Sequence, residues 1–129
     1  MKGKLKNIFD AVTSIQTALL RFSDDSGQQS LQVRVVYSND YLIQCILPDK
    51  IPMQLQILNK KIHLIQKYHN NYFFISGNII EQTQDDKRVL SLAVKKAFWF
   101  VRRKKENISW FQEKYIYENQ HFPTLNLAS

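Results

Sequence analysis

The chain has a single cysteine, three glycines and three histidines. Each shortage removes a class of explanation. Cys45 alone cannot form an intrachain disulfide. It lies in the apolar run Leu42, Ile43, Cys45, Ile46, Leu47, where a small buried side chain is the expected role. A lone cysteine also suits a reducing compartment. Three glycines leave no Gly-rich phosphate loop, and Ser76-Gly77 lacks the flanks of a nucleophile elbow. His63, His69 and His121 do not share a helix face as zinc ligands would, so no metal is expected. No apolar run approaches the ~18 residues that span a bilayer. Lys2, Lys4 and Lys6 make a basic start, but Asp10, Thr13, Ser14 and Gln16 interrupt the apolar residues after it, unlike a signal-peptide core. The expectation is a cytoplasmic protein with no membrane span and no cofactor.

The residues that are plentiful point to an ordered globular chain. At 129 residues one domain over 1–129 is expected, long enough to bury a core without staples. Apolar residues make up 44% and aromatics 12%, too many for a disordered chain. The formal charge of +7 favours anionic partners.

Leu5, Ile8, Phe9, Val12, Ile15, Leu19 and Phe22 fall at spacings of three and four. The spacing predicts an amphipathic helix over 4–22. Residues 23–30 read as a loop. The period then becomes two. Leu31, Val33, Val35 and Tyr37 predict a strand, Ser38-Asn39-Asp40 a turn, and Tyr41 to Leu47 a second strand paired with the first as a hairpin. Further strands are expected at Met53–Ile57, Ile62–Tyr68, Tyr72–Glu81 and Val89–Val94. Gly77 in mid-strand marks a bulge or bend. Residues 95–101 suit a strand through their aromatic and β-branched content, although Ala93, Ala97 and Val101 at spacing four also allow a helix. Ile108, Phe111 and Tyr115 predict a short helix over about 108–119, capped by Asn107, before a tail at 120–129. The fold class expected is α+β and β-rich. An antiparallel, barrel-like sheet of six to seven strands within 31–102 stands between an N-terminal amphipathic helix and a short C-terminal helix.

The most unbalanced stretch is Lys95-Lys96-Ala97-Phe98-Trp99-Phe100-Val101-Arg102-Arg103-Lys104-Lys105, with six cations, no anion and three consecutive aromatics. Phosphate recognition needs cations, and an Arg fork adds paired hydrogen bonds. Single-stranded nucleic acid adds a demand for aromatic faces. Lys95, Lys96, Trp99, Arg102, Arg103, Lys104 and Lys105 are therefore the candidate ligand-binding residues. On a strand, Trp99 would lie beside Arg103 on one face, opposite Phe98 and Phe100. The structural alternative is that the aromatics fill the core and the cations form a solvated strand end.

Residues 31–105 also resemble the small barrel that precedes PilZ domains in bacterial flagellar-brake proteins. The likeness rests on the hairpin, the strand Tyr72-Phe73-Phe74-Ile75-Ser76-Gly77-Asn78-Ile79-Ile80-Glu81, the polar turn, and Val89-Leu90-Ser91-Leu92. Phe100-Val101-Arg102-Arg103 stands where that family leads into its arginines for cyclic di-GMP. Glu106 and Asn107 stand four positions beyond Arg102 and Arg103, where the family's motif has a second arginine. Asn107-Ile108-Ser109 echoes half of the family's second motif, and Gln112 replaces its glycine. The resemblance implies a bacterial, PilZ-like regulatory barrel. Its ligand would be a cyclic dinucleotide, or that ligand has been lost and the barrel acts as an adaptor through protein contacts.

No acid–base or nucleophile set assembles, so no enzyme is expected. Two functions remain. One is a non-enzymatic regulatory or binding module that recognises an anionic ligand, a nucleic acid or nucleotide, through 95–105. The other is a protein-interaction module, with a homodimer among its forms.

Overall fold

The alternation seen in the sequence becomes a ring of antiparallel strands. The computed structural model describes residues 8–14, 16–25, 27–48, 60–83 and 89–120. Their elements are α1 (Ile8–Ser14), β1 (Thr17–Asp24), β2 (Gly27–Ser38), β3 (Leu42–Ile46), β4 (Lys61–Tyr68), β5 (Asn71–Gln82), β6 (Val89–Lys105) and β7 (Ile108–Glu118). The sheet order is β3-β2-β1-β4-β5-β6-β7, and β3 also pairs with β6. That last pairing closes six strands into a ring and leaves β7 outside it. The fold is therefore β-rich and ringed, but not a simple barrel.

The core is the inner face of the ring. Leu20, Val33, Val35, Ile43, Ile62, Leu64, Phe73, Ile75, Leu90 and Leu92 are buried there with α1's Ile8, Ala11 and Val12. Burying each large apolar side chain contributes roughly 1.5–3 kcal/mol before ordering entropy. Polar bonds hold α1 in place. Ser38 Oγ donates to Phe9 O at 2.9 Å, and Gln66 Nε2 donates to Val12 O at 3.4 Å and to Thr17 O at 3.0 Å.

Two expected helices are corrected, and so is the loop expected over 23–30, where Ser23 and Asp24 end β1 and Gly27 to Ser30 begin β2. Among the described residues the helix expected over 4–22 covers only Ile8–Ser14, and Thr17–Asp24 is a strand. Ala18, Leu20 and Phe22 point inward at the strand period of two, while Arg21 is only half-buried. Leu19 and Phe22 satisfied a helical spacing by coincidence, and pairing with β2 and β4 overrides it. Secondly, the helix expected over 108–119 is strand β7. Its pairing with β6 passes from Trp99↔Tyr115 to Phe100↔Glu113, leaving Lys114 as an extra residue. This bulge slips the period of two by one residue, so Ile108 and Tyr115, seven positions apart as on two turns of a helix, share the inner face, while Phe111 lies on the outer. The strand expected at Met53–Ile57, the tail beyond residue 120 and His121 lie outside the described residues.

Other features match the sequence pattern closely. β2 and β3 form the hairpin, and Asn39 Oδ1 caps its turn by accepting from Tyr41 N and Leu42 N, each at 2.8 Å. Residues 95–101 belong to one continuous strand, β6. Gly77 lies at a bulge: Ser76 pairs with Lys96 but Gly77 with Val94. A Cβ at Gly77 would meet Ala93 O at 1.9 Å, so only glycine admits this approach.

Candidate functional site

β6 is 17 residues long and serves two neighbours on one edge. Its first part, Val89–Ala93, pairs with β3; its second, Lys96–Lys105, pairs with β7. Buried Asn119 stands at the fork. Its side-chain Nδ2 donates to Val94 O at 3.1 Å, and its backbone N donates to Lys95 O at 2.9 Å. On the other edge, β5 accompanies β6 as far as the Asn71↔Val101 pair, where Arg102 N donates to Asn70 O at 2.7 Å. Beyond that point β6 and β7 continue as a two-stranded arm. Its turn holds Glu106 at a φ of 57°.

Arg102, Arg103, Lys104 and Lys105 are all exposed on this arm. Strand alternation divides them. Arg103 and Lys105 share the face of Trp99 and Val101; Arg102 and Lys104 share the face of Phe98 and Phe100. Opposite Arg102 on β7 is Phe111, and opposite Arg103 is Trp110. Arg103 Nε donates to Gln112 Oε1 at 2.7 Å. That bond engages Nε, and the side chain as a whole is exposed.

The aromatic run splits by face. Trp99 lies on the core-facing side, 5.6 Å from Phe73, and its Nε1 donates to Asn71 Oδ1 at 3.0 Å. Phe98 and Phe100 face outward and stack at 6.2 Å with an 11° tilt. Phe74 of β5 lies 6.2 Å from Phe100. Tyr72 packs edge-on against Phe111 at 5.1 Å, and Lys67 Nζ stands 5.5 Å from the Tyr72 ring centre. The outside of β5–β6–β7 is thus an aromatic surface flanked by Lys67, Lys96, Arg102 and Lys104. Glu113 and Glu118 of β7 stand opposite Phe100 and Lys96.

Lys95 is the extra residue of the β5–β6 bulge and is exposed; Lys96 is half-buried. Both line an open recess of about 410 Å³ with Lys61, His63, Ser76 and Asn78. The structure therefore splits the seven sequence-based candidates into three places. Lys95 and Lys96 border the recess, Trp99 packs toward the core, and Arg102 to Lys105 form the arm.

Sequence reasoning missed Tyr72, Phe74, Phe111 and Lys67. Tyr72 and Phe74 alternate within one strand, so their shared face was legible. Their meeting with Phe100 and Phe111 depends on register between distant segments. Chemistry elsewhere is subdued. Cys45 is buried, and burial pushes its thiol up to about 12. Among the described residues no three of His, Cys, Asp and Glu come together as metal ligands, and no helix is long and apolar enough to cross a membrane.

Fold and surface together define a ringed antiparallel β-sheet carrying a basic, aromatic outer face. No family model matches the chain, and no curated protein matches it.

Proposed function

We propose that the protein is a non-enzymatic binding module that takes single-stranded nucleic acid across the outer face of β5–β6–β7. The observation that carries this reading is the combination on one face: rings at Tyr72, Phe100 and Phe111 beside cations at Lys67, Arg102 and Lys104. Bases stack on aromatic faces whatever their sequence, and cations track the phosphates. Phe111, 59% exposed, is the most accessible ring of the group. Burial disfavours a thiolate at Cys45, so that residue has no part in the proposed binding.

The test is fluorescence anisotropy with labelled single-stranded DNA and RNA of about ten nucleotides, a length within the range one small β-domain covers. Binding should weaken as salt rises, with log K falling by about 0.7 for each phosphate contact per decade of salt. Arg102→Glu with Lys104→Glu should abolish binding, and Phe111→Ala should weaken it by about 1–3 kcal/mol, the value of one stacked base. Binding that ignores Phe111→Ala would sink the stacking role, and no binding at low salt would sink the function. Cyclic di-GMP is the comparison ligand. A saturable response to it alone would favour the nucleotide-binding reading that the flagellar-brake resemblance implies.

The alternative is a protein-interaction module, a PilZ-like barrel without its ligand. The observation that favours it is apolar exposure on β7, at Ile108, Trp110, Phe111 and Ile116.

A further inference from the structure

We propose that β7 pairs edge to edge with β7 of a second copy of this chain, in antiparallel register centred between Glu113 and Lys114. This goes beyond nucleic-acid binding and does not depend on it.

β7 pairs only with β6 among the described strands. Its other edge presents backbone donors and acceptors over an eleven-residue strand. Long apolar edges of this kind recruit another strand unless they are blunted. Two features of β7 look like blunting: exposed Lys114 and the bulge that contains it. Pairing with a second copy turns both into matching elements.

Antiparallel partners stand opposite each other on the same face of a sheet. A two-fold axis perpendicular to the sheet preserves those faces. In an unbroken strand, a register centred between two adjacent residues would set every inner-face side chain against an outer-face one. The bulge at Lys114 removes that conflict. Before it, Phe111 lies on the outer face and Trp110 and Gln112 on the inner. After it, Ile116 is outer, and Tyr115 and Tyr117 are inner, as their pairings with Phe98, Trp99 and Ala97 fix. Centring the pair between Glu113 and Lys114 therefore sets Phe111 against the partner's Ile116 and Trp110 against the partner's Tyr117. Gln112 meets the partner's Tyr115.

The charges then complement. Glu113 stands opposite the partner's Lys114, and Lys114 opposite the partner's Glu113. Exposed apolar area is covered at the same time, since Trp110 is 46%, Phe111 59% and Ile116 46% exposed in the single chain. The outer faces of the two sheets stay on one side, so the dimer presents one continuous surface from one β5 to the other.

Light scattering on a size-exclusion column, over roughly micromolar to a few hundred micromolar chain, reads the oligomeric state. The wild type is expected to be a dimer. Glu113→Lys and Lys114→Glu each place two like-charged pairs across the axis, and each should weaken dimerisation by about tenfold or more. The double variant Glu113→Lys with Lys114→Glu restores both pairs and should restore the dimer. All these positions are exposed, so the fold is spared. A wild type that stays monomeric overturns the proposal, and so does a dimer that tolerates both single reversals. Backbone amide exchange adds a second reading: residues 109–118 should exchange more slowly as concentration rises, and a rate independent of concentration overturns the pairing. Failure of nucleic-acid binding is read by anisotropy and leaves these measurements unaffected.

Discussion

Cys45 shows how one buried atom ties stability to pH. Its side chain is 1% exposed, and burial raises the thiol from 9.0 to about 12. The unfolded chain loses this proton near the lower value; the folded chain keeps it. Above pH 9 the folded state therefore binds more protons, and stability falls as pH rises. The loss from this one group approaches about 1.4 kcal/mol per pH unit between the two values and is absent well below the lower one. Urea unfolding of wild type and Cys45→Ala at about pH 8 and about pH 10, on either side of the unfolded value, reads the difference. The variant starts less stable because it leaves a small cavity, but its further decline should be shallower. Equal declines would show that the thiol is not held neutral by the fold. This burial was legible in the sequence, because Ile43, Cys45 and Leu47 alternate within an apolar run.

At the scale of the element, β6 is the member on which the others depend. It is long enough to close the ring through β3 and still carry β7. The two functions meet at the fork that Asn119 occupies. Removing the Asn119 amide leaves the buried Val94 carbonyl without that donor, at a cost of about 1–3 kcal/mol. Asn119→Ala should accordingly loosen the end of β7. Amide exchange at Tyr115 to Glu118 should speed up, while Leu90 and Leu92 in the ring keep their protection. Uniform loss of protection would show instead that the fork is part of the ring's own stability. The sequence disclosed β6 as a strand but not β7, and the reason is local. A bulge shifts the alternation by one residue, and a shifted alternation imitates a helix. A related ambiguity lay behind β1, where Leu19 and Phe22 fitted a helical spacing and Ala18, Leu20 and Phe22 the strand period, until pairing with β2 and β4 chose between them.

For the whole molecule, the charge of +7 sets the two proposals against each other. Nucleic-acid binding draws on attraction to phosphates and releases counterions, so it weakens with salt. Self-pairing brings two positive chains together, and salt screens their repulsion; the Debye length shrinks from about 30 Å at 0.01 M to about 10 Å at 0.1 M. Over that range the dimer should tighten while nucleic-acid affinity falls. Sedimentation and anisotropy on the same preparation check both slopes. A dimer that weakens in parallel with nucleic-acid binding would mean that the Glu113–Lys114 pairs, rather than backbone pairing and apolar contact, dominate the association.

The sequence by itself determined the β-rich class, the hairpin of β2 and β3, the burial of Cys45, the special role of Gly77 and the concentration of cations between Lys95 and Lys105. Each of these arises from neighbours in the chain: alternation, turn residues and local charge. Tertiary structure decided that the ring closes through β3 and β6, that Trp99 turns toward the core, and that Tyr72, Phe100 and Phe111 share one surface. It also decided that residues 108–118 form a strand. These outcomes rest on register between segments far apart in the chain. Register is fixed by backbone pairing and by which face can be buried, and a bulge of a single residue is enough to reverse it.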